Sequence, residues 1–328
     1  MADGGDGTLD VLLRAAGPRA RIEHRRVTGP AGAPVTARLG WLDAASAVIE
    51  MAEASGLRLL PPDRLLPLAA TSRGTGELIV RALDGGARHL LIGVGGTAGT
   101  DAGSGALRAI GLFLAGAGDV PLPEGGGALA DLRAAFALSL DPRLAEVDIE
   151  VAVDTAATLL GPSGAARLFA PQKGASGPEV ERLELGLDRF ATLLERSCGV
   201  NPALRTLAGS GAGGGTGYGL AALTGARLRP GGELVAGRVH LEAAVRGASL
   251  VLTGEGRLDR STSTGKAPAV VARIAAAAGV PCVVVAGRID RPVDPVFSGA
   301  VELDASLAGD TAGAVAEATA RALAALPD

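Results

Sequence analysis

Aromatic side chains make up only 2% of the 328 residues, so any buried core has to be filled by Ala, Val, Leu and Ile. Cysteine is nearly absent as well. Cys198 and Cys282 lie far apart without C-x-x-C spacing, and His24, His89 and His240 are scattered, which excludes the usual zinc patterns and gives no support to a disulfide framework. Neither sign of charge dominates. A formal net charge of -4 with interspersed signs leaves no basic stripe for neutralising phosphates, so nucleic acid is excluded as a partner. No apolar run approaches the ~20 residues that span a bilayer, and MADGGDGTLD has neither a basic n-region nor an apolar h-region, which excludes a membrane partner and makes the cytoplasm the expected location.

Glycine is what the chain has in excess. Its 50 glycines gather in short motifs, while 48% hydrophobic residues leave ample material for the cores of two domains. Apolar β-type runs at 88–94, 148–153, 249–255 and 280–287 alternate with helical patterns. That alternation predicts an α/β fold with parallel sheets flanked by helices. The clearest helix runs from Glu179 to Arg196, where Leu183, Leu187, Phe190 and Leu194 recur at helical steps behind a first-turn Pro178. Further helices are expected over Asp43–Ala54, Gly103–Ile110, Lys266–Ala278 and Ala312–Ala325, with a loop or a strand pair with turns over 114–127.

Four motifs carry groups able to do chemistry. In ADGGDGT, Ala2–Thr8, the residues Asp3, Gly4, Gly5 and Asp6 combine unhindered backbone with carboxylates that can accept a hydroxyl proton or hold Mg2+; read alone, the segment suits a disordered tail equally well. In GVGGTAGTDAGSGALRAIG, Gly93–Gly111, a strand leads through Gly95, Gly96, Thr97 and Asp101 toward a helix, a junction whose amides suit phosphate. Gly93, Gly95 and Ala98 also fit G-x-G-x-x-A, but no acidic residue closes a second strand at the distance that a dinucleotide site needs.

The third motif, LTGEGRLDRSTSTGKAP, follows a strongly apolar strand and supplies Gly254, Glu255, Gly256, Asp259 and Lys266 where ligands of parallel sheets bind. Gly265-Lys266 lacks the spacing of a Walker A motif. The fourth, Val151–Ala175, places Asp154 at a strand end and Gln172-Lys173-Gly174 on a proline turn, where a carboxylate and a lysine suit metal or phosphate chemistry.

These segments, with Glu50–Leu60 and Ala70–Ile79, resemble the glycerate kinase family from Ala2 to about Gly287. The resemblance implies a two-domain α/β enzyme without a P-loop, in which residues 1–78 and 248–328 form a discontinuous domain and 79–247 an inserted one. It implies ATP and Mg2+ as cofactors and D-glycerate as the substrate, phosphorylated to 2-phosphoglycerate in a cleft that closes against water. Under it, Asp154, Asp259, Lys266 and Lys173 are the expected catalytic residues and Asp154 and Glu255 the metal ligands. Asp3, Gly4, Gly5, Gly95, Gly96, Thr97, Asp101, Gly254, Glu255 and Gly256 are expected to bind substrate and phosphate. The base falls among Asp101, Asp154, Glu255 and Asp259.

The chain also departs from the family pattern. Family members carry a strand and a segment resembling DSFKGS ahead of ADGGDGT, whereas Met1 stands immediately before it here. A misassigned start codon and a true truncation both account for this, and a truncation would expose a sheet edge that favours a homodimer. After Asp154, Ala156 and Ala157 replace a carboxylate and an amide; Thr100 stands where Asn is common and Ser261 where Gln is common. The alternative to a kinase is therefore a catalytically inactive homologue that binds a small molecule.

Overall fold

The structure, a computed structural model, describes residues 1–259, 262, 266–304 and 311–324; Ser261, Gly265 and Ala325 lie outside the described residues. The backbone divides into two compact units, Ala2–Gly231 and Gly232–Asp328. No described helix is long and apolar enough to cross a membrane.

The first unit contains α1 (Thr8–Ala16), β1 (Arg21–Thr28), β2 (Pro34–Trp41), β3 (Ser46–Glu50), α2 (Met51–Ser55), α3 (Arg73–Asp84), β4 (His89–Gly93) and α4 (Ser104–Ala109). It continues with β5 (Phe113–Ala115), β6 (Ala134–Phe136), β7 (Asp148–Val153), α5 (Ala165–Phe169), α6 (Gly177–Cys198), α7 (Thr216–Thr224) and β8 (Arg227–Pro230). Six strands form one sheet in the order β1-β2-β3-β4-β7-β8. The first three are antiparallel, and β3, β4, β7 and β8 run parallel. Buried Val48, Ile49, Leu91, Ile92, Val151 and Ala152 make the centre apolar on both faces, as parallel strands require. The edge strand β1 is instead studded with Arg21, Glu23, Arg25 and Arg26, charges that discourage pairing with other chains.

The second unit holds α8 (Gly231–Arg238), α9 (Leu241–Arg246), β9 (Val251–Leu258), α10 (Ala267–Ala277), β10 (Cys282–Ile289), β11 (Gly299–Glu302) and α11 (Thr311–Ala324). Its parallel sheet runs β11-β10-β9. One face buries Cys282, Val284 and Ala286 against Val271, Ala272 and Ala275 of α10 and Val245 of α9.

Two expectations are corrected. The helix expected over Asp43–Ala54 is a turn, the strand β3 and the one-turn helix α2. Asp43 accepts the amides of Ala45 and Ser46 and fixes the turn, and the apolar run that follows is worth more in the middle of a parallel sheet than on a helix. The domain boundary expected between 78 and 79 falls inside the first unit, because β3 and β4 on either side of it share hydrogen bonds. The later boundary lies at 231 rather than 247, since α9 contributes Val245 to the core under α10. The periodicity behind Glu179–Arg196 holds: Leu183, Leu187, Phe190 and Leu194 are fully buried, and a capping box of Ser176 and Glu179 starts α6.

Candidate functional site

In the first unit, β3, β4 and β7 end together, at Glu50, Gly93 and Val153. The ADGGDGT segment is no tail but lies across these ends. The Gly95 amide donates to the Gly4 carbonyl at 3.1 Å. A Cβ on Gly4, whose φ is +101°, would stand 2.7 Å from the Ala152 carbonyl oxygen, and one on Gly95 would stand 2.6 Å from the Gly5 Cα. Backbone approaches backbone here at a distance that only glycine permits.

Glu50 fastens the segment from below. Its carboxylate accepts the amides of Gly7 and Leu9 at 3.2 and 3.0 Å, supplying the start of α1 with the acceptors its first turn lacks. Burial pushes the Glu50 carboxyl up, against the pull of those two amides. Thr8 closes the turn, accepting from Gly4 N and donating to the Gly5 carbonyl.

Beyond the strand ends is a pocket of about 140 Å3, lined by Gly95, Gly96, Thr97, Asp154, Thr155 and Lys173 and backed by Gly213 and Gly214. Lys173 is 4% exposed, and its ammonium donates to Thr97 Oγ1 at 3.1 Å and to the Gly99 carbonyl at 2.5 Å. Two of its three protons are thereby placed, and the third is available to a ligand in the pocket that the lysine lines. Burial pushes the ammonium down to about 8, and the negative charge of Asp101 opposes that fall.

Asp101 is not at the pocket wall. Its buried carboxylate accepts from Ser72 N (3.0 Å), Ser72 Oγ (2.7 Å), Gly103 N (3.0 Å) and Gly105 N (3.3 Å). Burial pushes this carboxyl up and the four donors pull it back. The start of α4, expected to hold a phosphate, already holds this side chain, which ties the loop to the start of α3. α4 also begins only at Ser104, six residues past Ala98, which removes the dinucleotide pattern. Thr100, where the family commonly has Asn, buries a hydroxyl with no hydrogen-bond partner among the described residues.

The second unit gathers the third motif at the end of β9. Glu255 accepts from Lys266 Nζ at 3.1 Å and from Thr262 Oγ1 at 2.7 Å, while Thr262 Oγ1 accepts the Asp259 amide at 3.2 Å. Lys266 stands at the N-terminal cap of α10. Thus Asp154, Lys173, Gly95, Gly96 and Thr97, with Asp3, Gly4 and Gly5 laid beside them, come together in the first unit. Gly254, Glu255, Gly256, Asp259 and Lys266 gather in the second unit. Sequence reasoning missed Glu50, Thr262, Gly213 and Gly214; the glycine run at 209–217 ahead of α7 was the available signal for the last two.

No three His, Cys, Asp or Glu side chains converge as a metal cage among the described residues. Mg2+ seldom uses such a cage: it keeps waters and takes one or two carboxylates with substrate phosphates. Glu255, with two donors on about four lone-pair sites, retains acceptor capacity that fits this demand.

The sequence profile of the Glycerate kinase family matches residues 1–326. The glycerate kinase of Bacillus subtilis (strain 168) is 43% identical over 303 residues, covering 92% of this chain and 78% of that protein. The glycerate 2-kinase of Escherichia coli (strain K12) is 40% identical with the same coverage. A crystal structure described as a glycerate kinase 2 from Salmonella typhimurium LT2 superposes with a TM-score of 0.83 at 42% identity, covering 99% of this chain and 87% of that one. On the profile, the identities and the shared fold, the chain belongs to the glycerate kinase family.

Proposed function

We propose that this chain transfers the γ-phosphoryl group of ATP to the 2-hydroxyl of D-glycerate, giving 2-phosphoglycerate and ADP. The observation that carries this reading is the buried Lys173 ammonium in a pocket of about 140 Å3 beside Asp154. That volume lies below the ~300 Å3 at which sites for larger ligands begin, and it suits a three-carbon acid. Lys173 and the Gly95-Gly96-Thr97 backbone bind the substrate carboxylate, and Asp154 takes the proton from the attacking hydroxyl. Lys266 binds the phosphates of ATP at the start of α10. Glu255 and Asp259 would hold Mg2+, which would supply charge neutralisation for phosphoryl transfer.

The test is ATP-dependent turnover of D-glycerate with the products resolved by phosphorus NMR. The reading expects 2-phosphoglycerate and a loss of about 100-fold or more in kcat for Asp154→Asn. Formation of 3-phosphoglycerate overturns the regiochemistry, and full turnover by Asp154→Asn removes it as the base.

A further inference from the structure

The loop ahead of α7 uses nearly all of its own amides. Gly209 and Gly211 donate to the Ala157 carbonyl, Ser210 to Leu207, Ala212 to Gly209 and Gly215 to Gly211. The first turn of α7, whose amides have no partners within the helix, is supplied by the same loop: Thr216 donates to the Gly213 carbonyl, Gly217 to Ala212 and Tyr218 to Ser210. Two amides are left over. Those of Gly213 and Gly214 have no acceptor among the described residues, and these are the residues of the loop that line the pocket of about 140 Å3 beside Lys173.

Their direction follows from the planar trans peptide, in which N–H and C=O point opposite ways. The peptide carrying the Gly213 amide turns its Ala212 carbonyl to α7, and the one carrying the Gly214 amide turns its Gly213 carbonyl there too. Both N–H groups therefore point away from the helix. Gly214 is buried and Gly213 half-buried, and a buried N–H without an acceptor is rare because its lost hydration is not replaced. The loop is also fixed in place. The Ala102 amide donates to the Gly214 carbonyl at 3.0 Å, and a Cβ on Gly214 would run into the Gly99 carbonyl oxygen, the same oxygen that accepts from Lys173. The two free amides and the buried ammonium thus gather around one short stretch of backbone.

The geometry points to the Gly213 and Gly214 amides as the donors that receive the phosphoryl oxygens during transfer and then hold the phosphate of 2-phosphoglycerate. The proposal rests on the kinase reading and adds a second anion subsite to it, since the product carries a phosphate as well as the carboxylate given to Lys173 and the Gly95–Thr97 turn. As the bond from the γ-phosphorus to ADP breaks, the bond to the 2-oxygen of glycerate forms and the hydroxyl proton passes to Asp154. The three equatorial oxygens keep their charge throughout. Amides already fixed by the loop stabilise that charge without reorganising.

The experiment follows the glycine amides of the whole protein, isotope-labelled and with Gly213 and Gly214 assigned, in NMR titrations with 2-phosphoglycerate, D-glycerate and inorganic phosphate. Both amide protons are expected to move downfield with 2-phosphoglycerate and with phosphate, and to stay in place with D-glycerate. Equal movement with D-glycerate assigns the amides to the carboxylate and overturns the proposal, and so does saturation with 2-phosphoglycerate that leaves both unmoved. Gly214→Ala pushes the loop off Gly99. Its kcat is expected to fall about 100-fold while the KM for D-glycerate changes by less than about threefold. Wild-type kcat in this variant overturns the proposal, and if the variant does not fold the titrations decide alone. Turnover of D-glycerate is scored separately. Phosphate-sensitive amides without turnover uphold the subsite and overturn the kinase reading, whereas turnover with amides indifferent to both phosphate ligands overturns the subsite alone.

Discussion

Gly95 in the first unit and Gly256 in the second stand in opposite surroundings. In the first, Gly4, Gly93 and Gly95 let backbone press on backbone, with would-be Cβ atoms 2.6–2.7 Å from protein atoms, and the charged groups Asp101, Glu50 and Lys173 are buried with their partners. In the second, Gly256 faces open space, and the Glu255–Lys266 pair lies nearer solvent, with side chains 15% and 34% exposed. At Gly4, Gly93 and Gly95 two backbone segments are in contact, whereas a Cβ on Gly256 would meet no atom within 4 Å among the described residues. The contrast warns against treating a glycine-rich motif as one kind of signal.

The most damaging way to probe the first unit is Asp101→Ala. It leaves four donors, from the starts of two helices, without their acceptor, and the expected loss is about 4 kcal/mol in denaturant unfolding. A loss below about 1 kcal/mol would break the picture of a saturated interior. Next comes Lys173→Met, for which kcat/KM for glycerate should fall about a hundredfold, roughly 2.7 kcal/mol, with little change in the ATP KM. The same lysine sets a pH dependence. Its folded pKa, lowered to about 8, keeps it charged below that pH and neutral above, so kcat/KM for glycerate declines as pH rises through 8. A profile flat to pH 9.5 removes it from carboxylate binding.

Smaller effects sharpen the comparison. Gly95→Ala should cost about 2 kcal/mol by overpacking, against less than about 0.5 kcal/mol for Gly256→Ala, both read from melting curves. Equal costs would erase the distinction between filled and open glycines. Smallest is Glu50→Gln, which keeps one acceptor at the start of α1 and should cost about 1 kcal/mol.

Strands β4, β7, β9 and β10 were legible because their apolar runs end in glycine or acidic turns, and α6 because its buried positions repeat at helical steps. β3 was not: Ala47, Val48 and Ile49 suit a helix equally well until β4 is there to pair with them. Lys173 and the Gly95–Thr97 turn were visible as separate motifs, but not that Lys173 donates across 76 positions of sequence to Thr97. Gly213 and Gly214 join the same pocket only because the loop before α7 folds over the turn after β4, with the Ala102 amide bonded to the Gly214 carbonyl. Asp101 shows the converse. Its carboxylate type suggested ligand chemistry, and only its burial and four donors reveal a positioning role.

That carboxylate also bears on how the molecule breathes. The amides of Ser72, Gly103 and Gly105, and through Ser72 Oγ that of Ala106, all lead back to Asp101. Their deuterium uptake then requires the buried anion to let go of both helix starts together, an event on the scale of opening the whole unit. A glycine-rich loop that by composition ought to exchange within seconds becomes one of the slowest clocks in the protein.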